Sequence, residues 1–543
     1  MKNKILNTIG MAAMVLVFLT GCKKLDLIPE DQFTDENYWT SEGKARSVLN
    51  TAYSQMANSA TFFYNEALSD NAVVGRGDAE GVASISRGTF DPSLVRFKEE
   101  WNESYAGIKT TNIFLENVDR VPNMNEDSKS RMKAEARFIR ALKHFQLMTW
   151  FGDIPLVSQD LTLEEARTIS RTPRAEVLSF ILSELDAAAA DLPANTELSA
   201  NERGMLTKGA ALALKARVLL YEGEWQQVVE VCEMLMNGSN GSYALFPSYA
   251  DLFHPDNQYS PEDILSLQYV PELRTWGEFF DFAPISVGSR LNAMAPTQEL
   301  IDSYLMTNGR TIEDEGSGYN EDNPYVNRDP RLTATVVYHL YQWDADGGTP
   351  RTIYTRPGTA PDDTGKLDEY SPGSSASPTG YYWRKYYDPE HSSNMASGLN
   401  LMLIRYADIL LMYAEAKNEL GQLDESVWNQ TIRPLRERAG FTDAGALTFP
   451  SAGQSALREI VRNERRVELA LEGLRIFDIR RWRIADEALN GWVHGARFGS
   501  PSDDGGYIRV VQRSFDESKH YLWPVPRDER NINKNLSQNP GWN

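Results

Sequence analysis

The clearest alternation of apolar and polar positions lies between residues 133 and 157. The apolar side chains that recur there at helical spacing are Ala134, Phe138, Ala141, Phe145 and Met148. The charged side chains on the remaining arc are Glu135, Arg137, Arg140 and Lys143. This pattern predicts an amphipathic helix with one buried and one solvated face. The helix should end at Gly152, which can adopt a left-handed cap, because Pro155 cannot continue it.

The same periodicity predicts further helices, at about 41–56, 97–118, 174–192 and 455–473. In two other segments a small residue precedes a glycine by seven positions and a second helix follows. Ala216 precedes Gly223 in this way, and Ala414 precedes Gly421. The spacing resembles the helix-turn-helix unit of tetratricopeptide repeats, in which the small residue lets two helices touch and the glycine opens the turn.

Residues 238–398 differ from the rest, because Gly, Pro, Asp, Asn and aromatic residues dominate there. Long loops in a folded protein are usually functional or disordered, and this region is too aromatic for disorder. Short strands are predicted at 264–270 and 334–341, and a short helix at 297–305. The predicted fold class is mainly α, a tetratricopeptide-like helical scaffold with a large loop-rich insertion that carries a few short strands.

The N-terminus has the features of a bacterial lipoprotein signal. Two lysines precede an apolar run that is too short to span a bilayer. The residues Leu19-Thr20-Gly21-Cys22 resemble a lipobox, in which cleavage leaves Cys22 as the lipid attachment site. No later segment is apolar enough to cross a membrane, so attachment is expected through this lipid only. The predicted organisation is a signal peptide at 1–21, a tether at 22–40, the first part of the scaffold at 41–237, a ligand-binding insertion at 238–398, and the second part with the C-terminal segment at 399–543.

The charge balance argues against nucleic acid as a partner. The chain of 543 residues has 55 Lys and Arg against 76 Asp and Glu, a net charge of −21, which repels phosphate backbones. It has two cysteines, so lipidation of Cys22 leaves no pair for a disulfide within the chain. Cys232 is expected to be a small core residue.

Catalytic chemistry has no visible signature. The six histidines are scattered without metal-ligand spacing, and neither a GxSxG elbow nor a Walker loop is present. A glycoside hydrolase stays as an alternative, because its two carboxylates cannot be singled out among 76 acids. The acidic segments 313–316 and 344–347 lack the full ligand series of a calcium loop. No cofactor or metal is therefore expected, with a structural calcium ion as the minor alternative.

Motifs along almost the whole chain resemble those of the RagB/SusD family of nutrient-uptake lipoproteins. They are Cys22 with Leu25-Asp26 and Pro29, Glu135 to Ala141, Phe151 to Pro155, Pro296 to Leu300, Asn327 to Leu332, Leu403 to Leu411, Glu464-Arg465-Arg466 with Glu468-Leu469, Glu472-Gly473 with Arg475, Arg480-Arg481-Trp482, and Gln538 to Trp542. Each motif is weak alone, but their common order is specific. The chain is identified on these motifs as a member of the family.

The resemblance implies a helical side that packs on a SusC-like TonB-dependent transporter and a variable, loop-rich side that binds ligand. It implies a non-catalytic protein of the outer membrane, anchored by lipid and facing the cell exterior. Lys23 and Lys24 follow the anchor, where surface-displayed proteins often carry acids.

A glycan site needs exposed aromatic rings for the apolar faces of sugars, with polar side chains beside them for the hydroxyl groups. Two loop segments offer this, and the candidates are Tyr269, Trp276, Phe280 and Arg290 in one, and Tyr64, Asp70, Asn71 and Arg76 in the other. Phe279, Phe282 and Trp101 are expected in the core. Trp276 fits a stacking role and a core role equally well. If it stacks on ligand, Trp276→Ala should abolish or strongly weaken ligand binding and leave thermal stability nearly unchanged, whereas a large loss of stability would identify it as a core residue.

Glycan binding is the leading hypothesis. Peptide capture for the same kind of transporter is the alternative that the family permits. A pure repeat scaffold with only protein partners is a third reading, which burial of all the candidate aromatic rings would favour.

Overall fold

The computed structural model describes residues 38–76, 81–344, 350–390, 394–500 and 502–542. The predicted signal peptide, Cys22 and the tether up to residue 37 lie outside the described residues. The described chain is mainly helical with a few short strands, which confirms the predicted fold class. Within these ranges no helix combines the length and the apolar character needed to cross a membrane.

The helices and strands follow each other as a helical region, a region of short elements, and a second helical region. The helices are α1 (Glu42–Ser54), α2 (Ser59–Tyr64), α3 (Val82–Ser86), α4 (Val95–Asn117), α5 (Glu126–Phe151), α6 (Leu163–Thr168), α7 (Arg174–Asp191), α8 (Lys208–Glu222), α9 (Trp225–Met236), α10 (Gln298–Ser303), α11 (Pro330–Thr335), α12 (Tyr406–Glu419), α13 (Glu425–Gln430), α14 (Ile432–Ala439), α15 (Ala444–Leu447), α16 (Gln454–Glu468), α17 (Arg475–Arg481), α18 (Ala485–Ala488) and α19 (Arg527–Ile532). The strands are β1 (Ala72–Val74), β2 (Asp263–Leu267), β3 (Met294–Pro296), β4 (Val336–Val337), β5 (Tyr341–Trp343), β6 (Arg351–Ile353), β7 (Tyr382–Trp383), β8 (Leu401–Arg405), β9 (Gly491–His494) and β10 (Arg509–Arg513).

Helix α5 contains the segment with the clearest sequence pattern. The Asn125 side chain accepts a hydrogen bond from Ser128 N and caps the first turn, and the five predicted apolar residues are buried. The helix ends at Phe151, and Gly152 follows with a φ of 74°. This confirms the predicted end, because a left-handed residue at that position favours glycine.

The prediction of a solvated polar face on α5 is wrong. Glu135, Arg140 and Lys143 are buried, because other helices cover this side as well. Each charge has a partner there: Arg46 donates to Glu135, and Arg140 pairs with Glu184 at 2.6 Å. Buried charges are tolerated when they are paired and hydrogen-bonded, so helical periodicity alone could not reveal that α5 is enclosed.

The long helices form one continuous stack although the sequence between them is interrupted. Helix α1 contacts α4, α4 contacts α5, α5 contacts α7, α7 contacts α8, and α8 contacts α9. Helix α9 then packs against α12, which follows residues 237–405, here called the irregular region, and α12 packs against α16. Gly223 turns α8 into α9 with a φ of 75°, as the repeat-like spacing predicts. The helical stack is therefore continuous in space, although residues 237–405 separate α9 from α12 in sequence.

The strands of the described chain pair as antiparallel two-stranded sheets: β1 with β3, β2 with β8, β4 with β7, β5 with β6, and β9 with β10. Strand β2 overlaps the segment predicted as 264–270 and begins one residue earlier, at Asp263. The second predicted strand, 334–341, is divided between the end of α11, β4 and the start of β5. Leu340 has a φ of 67°, a left-handed conformation that interrupts extended backbone.

A buried charge network fastens the irregular region to the helical stack. Its members are Glu262, Asp329, Arg331, Lys385, Arg405, Arg438, Glu464, Glu468 and Glu472. Arg405 Nη1 lies 2.6 Å from Glu262 and 2.7 Å from Glu468 on α16. Arg331 on α11 lies 2.9 Å from the same Glu468. Removing one partner would leave other charges buried without compensation, so the network fixes one relative placement of the two regions.

Candidate functional site

The predicted aromatic ligand residues come together, but inside the core. Trp276 is only 4% exposed, and Tyr64, Tyr269 and Phe280 are also buried. The Trp276 ring lies 5.0 Å from that of Phe63 on α2, and its Nε1 donates to Leu399 O at 2.7 Å. The expectation that these rings are exposed for stacking is therefore wrong. They pack helix α2 against the irregular region. Phe279, Phe282 and Trp101 are buried as well, which confirms the expectation that they belong to the core.

The predicted polar ligand residues divide into buried and exposed pairs. Asp70 accepts hydrogen bonds from Arg475 at 2.8 and 2.9 Å, and Asn71 is buried beside it, so neither side chain faces solvent. Arg76 and Arg290 are exposed. Arg76 donates to Gly373 O, and Arg290 pairs with Asp281 at 2.7 Å. Ligand contact stays a prediction for Arg76 and Arg290.

An open cleft with half-buried aromatic rings lies between the irregular region and the loop that joins β9 to β10. We call it the tyrosine cleft, and it has a volume of about 590 Å³. Its aromatic lining consists of Tyr319, Tyr325, Tyr338, His339, Tyr381, Phe498 and Tyr507. Its charged and amide lining consists of Gln298, Glu321, Asp322, Asn323, Arg356 and Arg497. Concave sites with aromatic walls and a few polar groups are typical of small-ligand binding.

The pairing of β4 with β7 places two of the tyrosines opposite each other. Val337 is the register partner of Tyr382, so Tyr338 after β4 and Tyr381 before β7 meet at one end of this sheet. The Tyr338 ring stacks on Tyr325 with centres 4.1 Å apart and planes 18° apart. The Tyr325 and Tyr381 hydroxyl groups lie 3.2 Å apart. Tyr338 and Tyr325 remain partly exposed, so the stacked pair presents aromatic surface to the cleft.

A second set of polar groups comes from the loop between β9 and β10. Arg497 Nη1 lies 3.0 Å from Glu321, and its Nε donates to Gly505 O at 2.8 Å. The Arg356 guanidinium lies 5.3 Å from the centre of the Phe498 ring, a cation–π distance. The cleft is therefore formed by two parts of the chain that are far apart in sequence and joined by one ion pair and one cation–π contact.

His339 contributes a neutral donor to the cleft. Burial first, and then the Arg356 charge, lower the pKa of His339 to about 4. Its Nδ1 accepts from the backbone N–H groups of Thr355 and Arg356 at 3.3 and 3.2 Å. Because Nδ1 is the acceptor, the imidazole proton resides on Nε2. A neutral N–H donor beside aromatic rings is suited to a sugar hydroxyl group.

The cleft has little that could cleave a glycosidic bond. Its carboxylates among the described lining residues are Glu321 and Asp322, and both are exposed. A glycosidase needs one carboxyl group whose pKa is raised by burial, so that it can act as an acid. The arrangement can bind an uncharged, hydroxyl-rich ligand, but it does not provide this acid.

No group of three or more metal-ligating side chains occurs among the residues that the structure describes. The acidic turn at 313–316 is exposed, and Asp314 Oδ2 accepts from Thr311 N at 2.8 Å, as in an ordinary turn. The other acidic segment, 344–347, lies outside the described residues apart from Asp344.

Sequence reasoning missed the tyrosine cleft. Most of its aromatic residues lie within the predicted ligand-binding insertion, where Tyr325 and Tyr338 stand beside hydrophobic residues and resemble core positions. Arg497, Phe498 and Tyr507 lie beyond residue 398, in a segment assigned to the scaffold. An accumulation of Gly, Ser and Asp at 499–506 was the available signal for a surface loop there.

Two segments of this chain match known protein families. Residues 277–542 match the family described as "SusD family", and residues 25–220 match the one described as "Starch-binding associating with outer membrane". A SusD-like protein, P25, of Formosa agariphila is 26% identical over 98% of this chain and 98% of its own. The starch-binding protein SusD of Bacteroides thetaiotaomicron is 27% identical over 89% of this chain and 85% of its own.

The fold comparison agrees with the sequence comparison. The crystal structure of a SusD-like carbohydrate binding protein from Bacteroides fragilis is 30% identical, with a TM-score of 0.82, and covers 92% of this chain and 100% of its own. The matched family and the carbohydrate binding protein of this fold confirm the prediction of a binding protein rather than an enzyme. From the ordered motifs, the helical stack with its irregular region, and these matches, we conclude that the chain belongs to the SusD/RagB family of carbohydrate-binding, outer-membrane-associated proteins.

Proposed function

We propose that this protein binds an oligo- or polysaccharide at the cell surface and delivers it to a SusC-like TonB-dependent transporter of the outer membrane. Cys22 carries the lipid anchor in this proposal, and the anchored body faces the cell exterior. Family membership and the lipobox-like Leu19 to Cys22 support these assignments. Cys22→Ser tests the anchor: the variant should appear in the soluble fraction, and its persistence in washed membranes would contradict the lipid assignment.

The tyrosine cleft is the ligand site in this proposal, and the stacked Tyr325–Tyr338 pair is the observation that carries it. Sugar C–H faces pack on such rings, while Arg356, Arg497 and neutral His339 can bind hydroxyl groups. Burial of Trp276 and its neighbours agrees with the pure-scaffold reading. The partly exposed tyrosines favour ligand binding over that reading, because a scaffold does not need them.

Affinity electrophoresis with a panel of neutral polysaccharides tests the site. Tyr338→Ala removes one face of the stacked pair, and we expect it to weaken retardation by about tenfold, which corresponds to about 1.4 kcal/mol. Trp492→Ala is the matched control, because Trp492 is an aromatic residue 42% exposed on β9 that does not line the cleft.

Three results would change the proposal. Equal retardation of Tyr338→Ala and the wild type would exclude the tyrosine cleft as the glycan site. Binding of peptides with no retardation by any glycan would replace glycan capture by peptide capture. Release of reducing sugar by the purified protein would restore the hydrolase alternative.

A further inference from the structure

A second cavity is lined by arginines and lies in the helical stack, apart from the tyrosine cleft. It has a volume of about 390 Å³ between the end of α5, the start of α7, α17 and the C-terminal segment. We call it the arginine pocket. Its charged lining residues are Arg174, Arg480, Arg481, Arg483 and Asp153. The lining therefore contains four cationic side chains and one carboxylate, although the chain as a whole has a net charge of −21.

Two of these arginines are already neutralised. Arg481 makes two parallel hydrogen bonds to Glu415 at 2.6 and 2.7 Å. Arg174 forms a double hydrogen bond with Glu222, and its backbone N–H donates to Asp153 Oδ1 at 2.8 Å. Such bidentate pairs are strong and leave little charge to attract a ligand.

Arg480 is different, because it is buried without a counter-charge. It is 8% exposed, and no carboxylate of the described chain lies within 4 Å of its guanidinium. Its Nη2 donates to Tyr521 O, and its guanidinium lies 4.6 Å from the centre of the Trp150 ring, but no described residue accepts a hydrogen bond from Nε or Nη1. The buried Arg328 likewise has no carboxylate within 4 Å in the part of the chain that the structure describes, but each of its three guanidinium nitrogens donates to a carbonyl oxygen.

Arg483 brings a second uncompensated charge to the same place. It is exposed, and its guanidinium carbon lies 3.9 Å from the centre of the Tyr521 ring. Like Arg480, Arg483 has no carboxylate within 4 Å among the described residues. Tyr521 therefore separates two cations, one at its carbonyl oxygen and one at its ring. Burial first, and then the charges of Arg174 and Arg483, lower the pKa of Arg480 to about 9. A nearby anion would relieve this repulsion.

The geometry points to the arginine pocket as a binding site for a compact divalent oxyanion, a sulfate or phosphate group. Arg483 can donate hydrogen bonds from the mouth, and Arg480 compensates the second negative charge from the wall. Two uncompensated guanidinium groups match a dianion, and guanidinium is the side chain best suited to oxyanions. The group could be a free ion or an ester on a sugar, since both present the same tetrahedral oxygens.

Isothermal titration calorimetry with sodium sulfate and sodium phosphate tests the site. Sodium chloride keeps the ionic strength constant, so that general screening does not contribute. We expect saturable 1:1 binding by the wild type, at least tenfold weaker binding by Arg483→Gln, and none by Arg480→Gln. Arg433→Gln is the control, because Arg433 is an exposed arginine on α14 paired with Glu437. Its binding should equal that of the wild type.

The exposed Arg483 keeps the test valid if Arg480→Gln fails to fold. No saturable heat with the wild type, or equal binding by the wild type and Arg483→Gln, would overturn the inference. Glucose 6-sulfate and glucose 6-phosphate distinguish the two sources of the anion. Binding of an ester at least as tight as the free ion indicates a charged sugar, and binding of the free ions alone indicates a small-anion site. Tyr338→Ala should bind sulfate normally, so the two sites can fail independently.

Discussion

Because Trp276 is buried, we expect its substitution to lower the stability of the protein and not its affinity for ligand, the opposite of what an exposed stacking residue would show. Trp276→Ala removes a ring that contacts Phe63 and Phe279 with centres 5.0 and 5.5 Å apart. Truncation of a buried tryptophan typically costs about 3–5 kcal/mol, and this range includes the cavity left behind. Loss of the hydrogen bond to Leu399 O leaves a buried carbonyl unsatisfied and adds about 1 kcal/mol. We therefore expect a loss of about 4–6 kcal/mol in the free energy of unfolding.

Urea-induced unfolding, followed by circular dichroism, measures this change through the midpoint and the slope of the transition. Trp492→Ala is again the control, because substitution of an exposed side chain should change stability by no more than about 0.5 kcal/mol. Folded Trp276→Ala should still bind the glycan. An unchanged unfolding midpoint together with lost glycan binding would refute the structural reasoning and restore Trp276 as a ligand contact.

Two further predictions concern charged groups. Burial raises the pKa of Glu468, but Arg438, Arg405 and Arg331 outweigh it and hold the pKa well below its usual range. The resulting stability is present above the unfolded pKa of about 4.3 and is lost as the pH falls below it. Glu468→Gln should accordingly cost about 3–5 kcal/mol at neutral pH in urea unfolding. Glu437→Gln, at an exposed ion pair, should cost under about 1 kcal/mol, and equal losses would contradict the role of the network. Burial lowers the pKa of His494, but hydrogen bonds to Asp504 and Glu299 raise it above its usual value. This stability is present below the unfolded pKa of about 6.5 and is lost as the pH rises through the folded pKa. The unfolding midpoints of the wild type and His494→Gln should therefore differ most near pH 6 and converge near pH 9. A difference that is independent of pH would disprove the titration of His494.

The sequence predicted those parts of the fold that depend on local spacing. The end of α5 at Gly152 and the turn at Gly223 follow from glycine conformation and helical period, which are local properties. The solvated face of α5 was mispredicted, because Glu135 and Lys143 look like surface residues until Arg46 and Met56 O are placed against them. Whether a charge is buried depends on partners far away in the chain.

The ligand site was less predictable for the same reason. Trp276 and Tyr338 are both aromatic residues in a loop-rich region, and their sequence neighbourhoods do not indicate which one is exposed. The packing of α2 covers Trp276, while the pairing of β4 with β7 turns Tyr338 towards an open cleft. Both are tertiary relations, which composition and periodicity do not contain.

The buried charge network limits how this protein could be redesigned for another ligand. Asp329 and Arg331 fix the chain just before the first strand of the cleft, and Lys385 fixes it just after β7, where its Nζ lies 2.7 Å from Glu472. The residues between these two points can be exchanged as one cassette, because both of its ends are held by the same helical stack. A graft whose borders fall inside the network would instead separate Arg331 or Arg405 from Glu468, and the resulting loss of stability would obscure any change in specificity.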